Sequence, residues 1–520
     1  MKDRIAISKA FNLFEETYSD ELKKLKLHET LAWAIVKTPL YFNLISEDIV
    51  RNISHNSFRN RAVELFKKLL LQFKKVTDTI SLLFLLVRIK YRIFKKKNIT
   101  LFYTSSTDKL TMDENGTYSN SLTDAFIASK LVTNYIYAEQ PIDGNYKLPS
   151  LVGIDLKLDL LYPVASFYRL SLGRNAVIRS LAERLVGLLI PFLKEQEIWV
   201  EIKTGLIQKI IIDFFAEYKA NKMLLDIIKP YFIITSERIG TGLIAAANKN
   251  CIKSVDLQHG IIDNFHPQYI YSSKLKDSKD AMLLSSFIGV FGELHKDMIL
   301  ENGFWDNSEV IVLGSSRFEM NRGRLKTLTF DLHNEKQILI PTQWTYFDET
   351  KLLIDKLLQI DIQGLKIILK IHPHEPQNNT DYYYSLSGKY EGKIRIAGRN
   401  EDVYKFIGSS FLVVGFDSAV LFESIGLSKP CVTIGTRYSP DGIHSLYNGD
   451  KMKSAIKTVR ISDLDKIELI IEDIILGNAS YNTWLDEIHK MSVYLYAENY
   501  LGNCKSFINS LYPGGYDYNN

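Results

Sequence analysis

Between Gly364 and Gly435 one pattern recurs: a short β-branched apolar run, then polar or glycine residues, then a helical segment. The runs are GLKIILKI ending at His372-Pro373-His374, KIRIAG, SSFLVVGF leading through Asp417-Ser418-Ala419 into a helix that carries Glu423, and PCVTIG. Apolar runs of this kind, with helices between them, specify a parallel α/β sheet. In such sheets ligands sit beyond the carboxyl ends of the strands. His372, His374 and Ser418 stand at those ends and are the first candidates for a binding site.

The same texture extends on both sides. Runs NITLFYTS, NYIYAE, YFIIT, SVDLQ, FIGVFG and VIVLG predict a first α/β domain, with about 75 mostly helical residues after Leu151. The polar run Ser315 to Lys336 has no clear period and reads as an interdomain linker. At 520 residues with 46% apolar content, the chain has room for about three domains with ordinary cores. The expected ranges are a helical basic region over 1–98, a Rossmann-like domain over 99–328, a second over 329–478, and C-terminal helices with a frayed tail over 479–520. The expected fold class is α/β, with an N-terminal helical region and two Rossmann-like domains facing a cleft.

The net charge is +4, but residues 51–100 hold thirteen Lys/Arg against two Asp/Glu. Within them RNRAVELFKKLLLQFKKVTDTISLLFLLVRIKYRIFKKKN sets leucine-rich faces beside lysine pairs, the composition of an amphipathic helix lying on an anionic membrane surface. The alternative is a pair of packing helices with a solvated basic face. No aromatics interleave with the basic residues as on a nucleic-acid-binding sheet, so no nucleic-acid partner is expected. Cys251, Cys431 and Cys504 have no pair spacing and read as reduced core residues of a cytosolic protein. No secretory signal and no uncharged apolar stretch of spanning length is evident, so the expected location is cytoplasmic and peripheral to the inner membrane face.

Several residues carry candidate chemistry. A strand ending at Gly415-Phe416-Asp417 and entering a helix at Ser418 gathers backbone N–H groups and the positive helix end, an anion site; the bland reading is an N-cap. Pro373 fixes the backbone beside His372, and a metal role for HPHE lacks a third ligand. Gln258-His259-Gly260 closes strand SVDLQ, with Gly260 allowing a tight turn and His259 placed as a general base or as a turn-stabilising residue. Ser236, Glu237 and Arg238 follow YFIIT, where Gly240 and Gly242 open a helix in a second possible anion site. Asp143 in PIDGN is a carboxylate at a turn.

Taken in order, LQHGI, FHPQYIY, FIGVFGELHKDMILENGF, VIVLGSSRFE, ILIPTQW, KIHPH and FDSAVLFESIGLSKPCVTIG resemble the GT-B glycosyltransferases of bacterial surface polysaccharides, over about residues 230 to 440. The group includes capsule Kdo and sialic acid transferases and the polyol-phosphate polymerases of teichoic acid synthesis. The resemblance implies a GT-B fold and inverting, metal-independent transfer without a cofactor, from a nucleotide-sugar donor, a CMP-sugar favoured, to a glycan or lipid-linked acceptor. It places donor-nucleotide contacts on His372, Pro373 and Ser418; His374, Asp417 and Ala419 flank them at the same strand ends, and Glu423, farther along the Ser418 helix, is placed to reach a ribose hydroxyl, completing the candidate donor site. Acid/base chemistry falls on His259, with Glu237 or Asp143 as alternatives and Gln258 and Gly260 in support. The sialyltransferase acidic-acidic-glycine motif is represented only by Ile142-Asp143-Gly144, and the usual serine pair only by Asp417-Ser418-Ala419. A CDP-polyol phosphotransferase, and a UDP-GlcNAc 2-epimerase on the same fold, are the alternatives.

Overall fold

The computed structural model describes residues 4–511 except 51–79, 92, 93, 95, 97, 110, 113, 114, 143, 174, 237–240, 327–335, 438 and 447–451. The described chain divides into two compact units. The first comprises Met1–Val290, Ile299–Ile311 and Leu501–Asn520, and the second Phe291–Met298 and Val312–Tyr500.

The first unit is built on seven strands: β1 (Thr100–Ser105), β2 (Tyr135–Gln140), β3 (Leu156–Lys157), β4 (Phe232–Ser236), β5 (Lys253–Leu257), β6 (Phe287–Val290) and β7 (Val310–Val312). Their order across the sheet is β7-β6-β5-β4-β1-β2-β3, with β1 to β6 pairing in parallel. β1 is buried at every position, as a strand with helices on both faces must be. Helix α1 (Thr204–Ile228) covers the sheet, and α2 (Thr241–Lys249) lies so close to it that a Cβ on Gly242 would sit 2.7 Å from the Glu217 Cβ. Gly242 therefore has a packing role where the sequence suggested an anion site.

The N-terminal helices Arg4–Thr17 and Ala32–Val50 fold into this first unit and do not stand as a region apart. Glu15, fully buried, accepts hydrogen bonds from Trp33 Nε1 at 2.7 Å and Ser272 N at 2.9 Å, and pairs with Lys37 Nζ at 2.7 Å. Helical residues 80–91 add Leu82, Leu86 and Ile89 to the sheet's core, while most of the basic region lies outside the described residues. At the other end of the chain, Phe507 packs against Phe232 and Phe287.

The second unit has six strands: β8 (Lys336–Pro341), β9 (Leu365–Lys370), β10 (Ile394–Ala397), β11 (Leu412–Gly415), β12 (Cys431–Gly435) and β13 (Ile456–Arg460). They are all parallel in the order β10-β9-β8-β11-β12-β13. Numbered within each sheet, both orders begin 3-2-1-4-5-6, the doubly wound Rossmann arrangement, whose order reverses beside the first strand. Two Rossmann-like sheets preceded by helices are what the sequence led us to expect.

Two local expectations change. Residues 316–326, read as linker, form helix α3 (Ser316–Lys326), held by Phe318 stacked on Tyr496 at 3.9 Å and by Arg322 paired with Glu498 at 2.7 Å. Cys251 is exposed at a positive-φ position after α2, whereas Cys431 and Cys504 are buried.

Candidate active site

In the first sheet the order reverses between β1 and β4, and a polar group gathers beyond their carboxyl ends. Ser105 ends β1 and its Oγ accepts the Thr107 N–H, turning the chain so that Asp108 is buried beneath the strand end. Asp108 Oδ1 lies 2.8 Å from Nδ1 of His259, which follows β5, and Oδ2 accepts the Ser236 hydroxyl of β4 at 2.8 Å. Gln258 holds the turn that carries His259: its backbone N–H donates to Gly289 O at 2.8 Å and its Nε2 to Gly260 O at 2.7 Å.

This geometry selects a tautomer. A neutral His259 donates Nδ1–H to the carboxylate, which leaves Nε2 as the basic nitrogen. Ser236 spends its proton on Asp108, so the trio is a positioned base, not an activated serine nucleophile. Beside it lies a second buried group. Glu139 of β2 pairs with Lys109 Nζ at 2.7 Å and accepts the Ser106 hydroxyl, and Lys147 Nζ donates to Lys109 O at 2.8 Å. Burial lowers the Lys147 pKa below the usual lysine value.

Asp108, Glu139 and Lys109 were missed from the sequence. The available signals were an acidic residue inside the apolar run YIYAEQ and the hydroxyl-rich Ser105-Ser106-Thr107-Asp108 after a strand. Glu237, Arg238, Gly240 and Asp143 lie outside the described residues.

In the second sheet the reversal falls between β8 and β11. Beyond β8, Thr342 Oγ1 accepts the His372 N–H at 3.0 Å, so the residue after β9 is tied to the end of β8. His372 Nδ1 accepts the His374 N–H at 3.1 Å, which fixes the proton of the neutral ring on Nε2 and makes it a donor. Burial, with His374 and Lys370 nearby, lowers the His372 pKa, keeping the ring neutral at physiological pH. Pro373 and His374 are exposed in the turn. Lys370 Nζ, at the end of β9, donates to Gly398 O at 2.8 Å and Arg399 O at 3.1 Å, which ties this strand end to the turn after β10.

Beyond β11, Asp417 does not point outward alone. It accepts Gln343 Nε2 at 2.5 Å and the Tyr346 hydroxyl at 3.1 Å, and Tyr346 stacks on Phe416 at 4.6 Å. Ser418 caps helix α4 (Ala419–Gly426), its Oγ accepting Val420 N–H at 3.3 Å, so the N-cap role is realised. The positive helix end remains at the mouth of the site, with Ala419 exposed there. Glu423 is turned inward: Tyr404 donates to it at 3.0 Å, Arg317 NH1 stands 3.8 Å away, and burial raises its pKa.

The structure thus brings together His259, Gln258 and Gly260 at one strand-end site, and His372, Pro373, His374, Asp417, Ser418 and Ala419 at another. Glu423 belongs to a buried ion group beside the second. Among the described residues no cluster of three or more His, Cys, Asp or Glu is arranged to hold a metal ion.

Neither protein-family models nor curated protein sequences match this chain. Solved structures do. A Listeria monocytogenes protein assigned as a UDP-N-acetylglucosamine 2-epimerase is 11% identical, with a TM-score of 0.48 over 80% of this chain and 96% of its own. The UDP-GlcNAc 2-epimerase of Neisseria meningitidis bound to UDP-GlcNAc is 12% identical, at 0.46 over 80% and 100%. A glycosyltransferase from Rickettsia africae is 12% identical, at 0.41 over 80% and 99%. Likeness at this level carries no weight for activity, which must be argued from the residues themselves.

Proposed function

We propose that the chain is an enzyme of nucleotide-sugar chemistry, and within that class a glycosyltransferase acting on a surface-glycan or lipid-linked acceptor at a membrane face. The observation that carries the reading is the Asp108–His259 hydrogen bond at the point where the first sheet reverses its order, which makes a positioned base of His259. The nucleotide of the donor is assigned to the second unit, where the His372 Nε2–H and the start of α4 meet its phosphate charge. An acceptor hydroxyl oxygen forms a bond to the anomeric carbon as the bond from that carbon to the phosphate oxygen breaks. The electron pair leaves with the nucleotide, and the hydroxyl proton passes to His259 Nε2.

The second reading is 2-epimerisation of a UDP-sugar, the reaction named for two of the similar structures. The two readings part on the acceptor. An epimerase converts its nucleotide sugar alone, whereas a transferase releases free nucleotide only in step with acceptor modification. A thermal-shift panel of CMP, CDP, UDP and GDP comes first, since a ligand of the native state raises its melting temperature by mass action. Stabilisation by CMP supports the CMP-sugar donor suggested by the sequence, and stabilisation by UDP alone replaces it with a UDP-sugar. Donor turnover with and without glycan acceptor then decides between transfer and epimerisation.

A further inference from the structure

Helical residues 80–91 carry two apolar stripes. Leu82, Leu86 and Ile89 face the core of the first unit. On the opposite side Ile80, Leu83, Phe84, Val87 and Tyr91 recur at helical spacing and are 49%, 60%, 74%, 69% and 87% exposed. Arg88 and Lys90, both exposed, border that outer stripe on its two sides. Between Asp78 and Asp108 the sequence has six Lys/Arg and no acidic residue.

A helix held to a core by one stripe has no folding reason to keep a second stripe of large apolar side chains in water. We infer that this outer stripe is a docking surface for an anionic lipid bilayer, with Leu83, Phe84, Val87 and Tyr91 entering the headgroup boundary. Arg88 and Lys90 snorkel to the phosphates on either side. The charge pattern selects this occupant, because a purely basic border complements a negatively charged leaflet. A nearby element has the same character: helix Tyr162–Leu172, which enters the same core cluster through Ala165, leaves Phe167 and Leu170 exposed. No helix among the described residues is long and apolar enough to cross a membrane, which fits a helix lying on the surface. The inference deepens the reading of a membrane-presented acceptor, but its test uses no substrate, so the two can fail separately.

The experiment is flotation of the full chain with phosphatidylcholine vesicles, with and without about one third phosphatidylglycerol. The wild type is expected to float with the anionic vesicles and to be released by salt. The Leu83→Ser/Phe84→Ser and Arg88→Glu/Lys90→Glu variants are each expected to lower the bound fraction about tenfold, with unchanged melting temperature because all four residues are exposed. Absence of wild-type binding overturns the inference, as does undiminished binding of both variants, which would move the contact to another segment. A wild-type dimer that the Leu83→Ser/Phe84→Ser variant dissociates, with vesicle binding intact, would make the stripe a subunit contact instead.

Discussion

The Asp108 carboxylate accepts from His259 and Ser236, side chains delivered by different strands, with Thr107 Oγ1 a longer third donor at 3.4 Å, and only a carboxylate accepts from both His259 and Ser236 without rotating His259. Asp108→Asn keeps the shape but can turn a donor toward the imidazole, favouring the tautomer that protonates Nε2. If His259 is the base, turnover should fall about 10²- to 10⁴-fold with KM for the donor little changed and the acidic limb of the pH profile, set by protonation of the base, displaced. Parallel loss in KM and kcat would mark Asp108 as merely structural. Asp124 offers a pH test of a different kind. Burial pushes its carboxyl up to about 6, although the Asn120 N–H and the Tyr137 hydroxyl both donate to it. A pKa raised on folding contributes stability that is present below the unfolded value near 3.8 and is lost as the pH rises through about 6. Denaturant midpoints at about pH 4 and about pH 7 should therefore show the wild type losing up to about 3 kcal/mol relative to Asp124→Asn. These residues mark the limit of sequence reading. His259 announced itself beside Gly260 at a strand end, but nothing in the spacing of Asp108, Ser236 and His259 reveals that three strands deliver them to one point.

At the scale of elements, α4 and its neighbours show what a pattern can and does not encode. The strand-to-helix turn at Ser418 was legible because a β-branched run followed by Asp-Ser is both a strand end and a cap. The structure adds that the Ser418 oxygen is already engaged with Val420 N–H. Ser418→Ala should lower stability by about 1 kcal/mol through the lost cap. Ser418→Asp should keep the cap while weakening nucleotide affinity through charge repulsion, and equal affinity in titration calorimetry would remove the phosphate from this helix end. Helix α3 was not legible, because its inward positions are Phe318, Asn321 and Arg322 and so present no apolar period. It is fixed by partners distant in sequence. Phe318 and Tyr496 stack against Gly426, where a Cβ would lie 2.6 and 2.5 Å from their rings. Gly426→Ala should cost about 1–3 kcal/mol by overpacking, read as a lower denaturation midpoint.

At the scale of the whole molecule, the alternation of apolar runs and helices declared two parallel sheets, while the attachment of the N-terminal helices stayed hidden. Their buried contacts reach far along the chain: Lys37 Nζ donates to Ile270 O at 2.7 Å and pairs with Glu15, which in turn accepts Ser272 N. Local periodicity carries no record of such pairings, and the basic run after residue 50 draws the eye to a boundary instead. The pair supplies the test. Lys37→Met leaves the Glu15 carboxylate buried without its cation and should cost about 3–5 kcal/mol, whereas an exposed pair would cost at most about 1. Adding Glu15→Gln removes the stranded charge while the amide that replaces it still offers an oxygen to Trp33 or Ser272, so the double variant should be more stable than Lys37→Met alone. A denaturation series on the wild type and these two variants reads both effects. If Lys37→Met left the unfolding of the full chain unchanged, the N-terminal helices would be an appendage, and the first unit would have to hold its sheet without them.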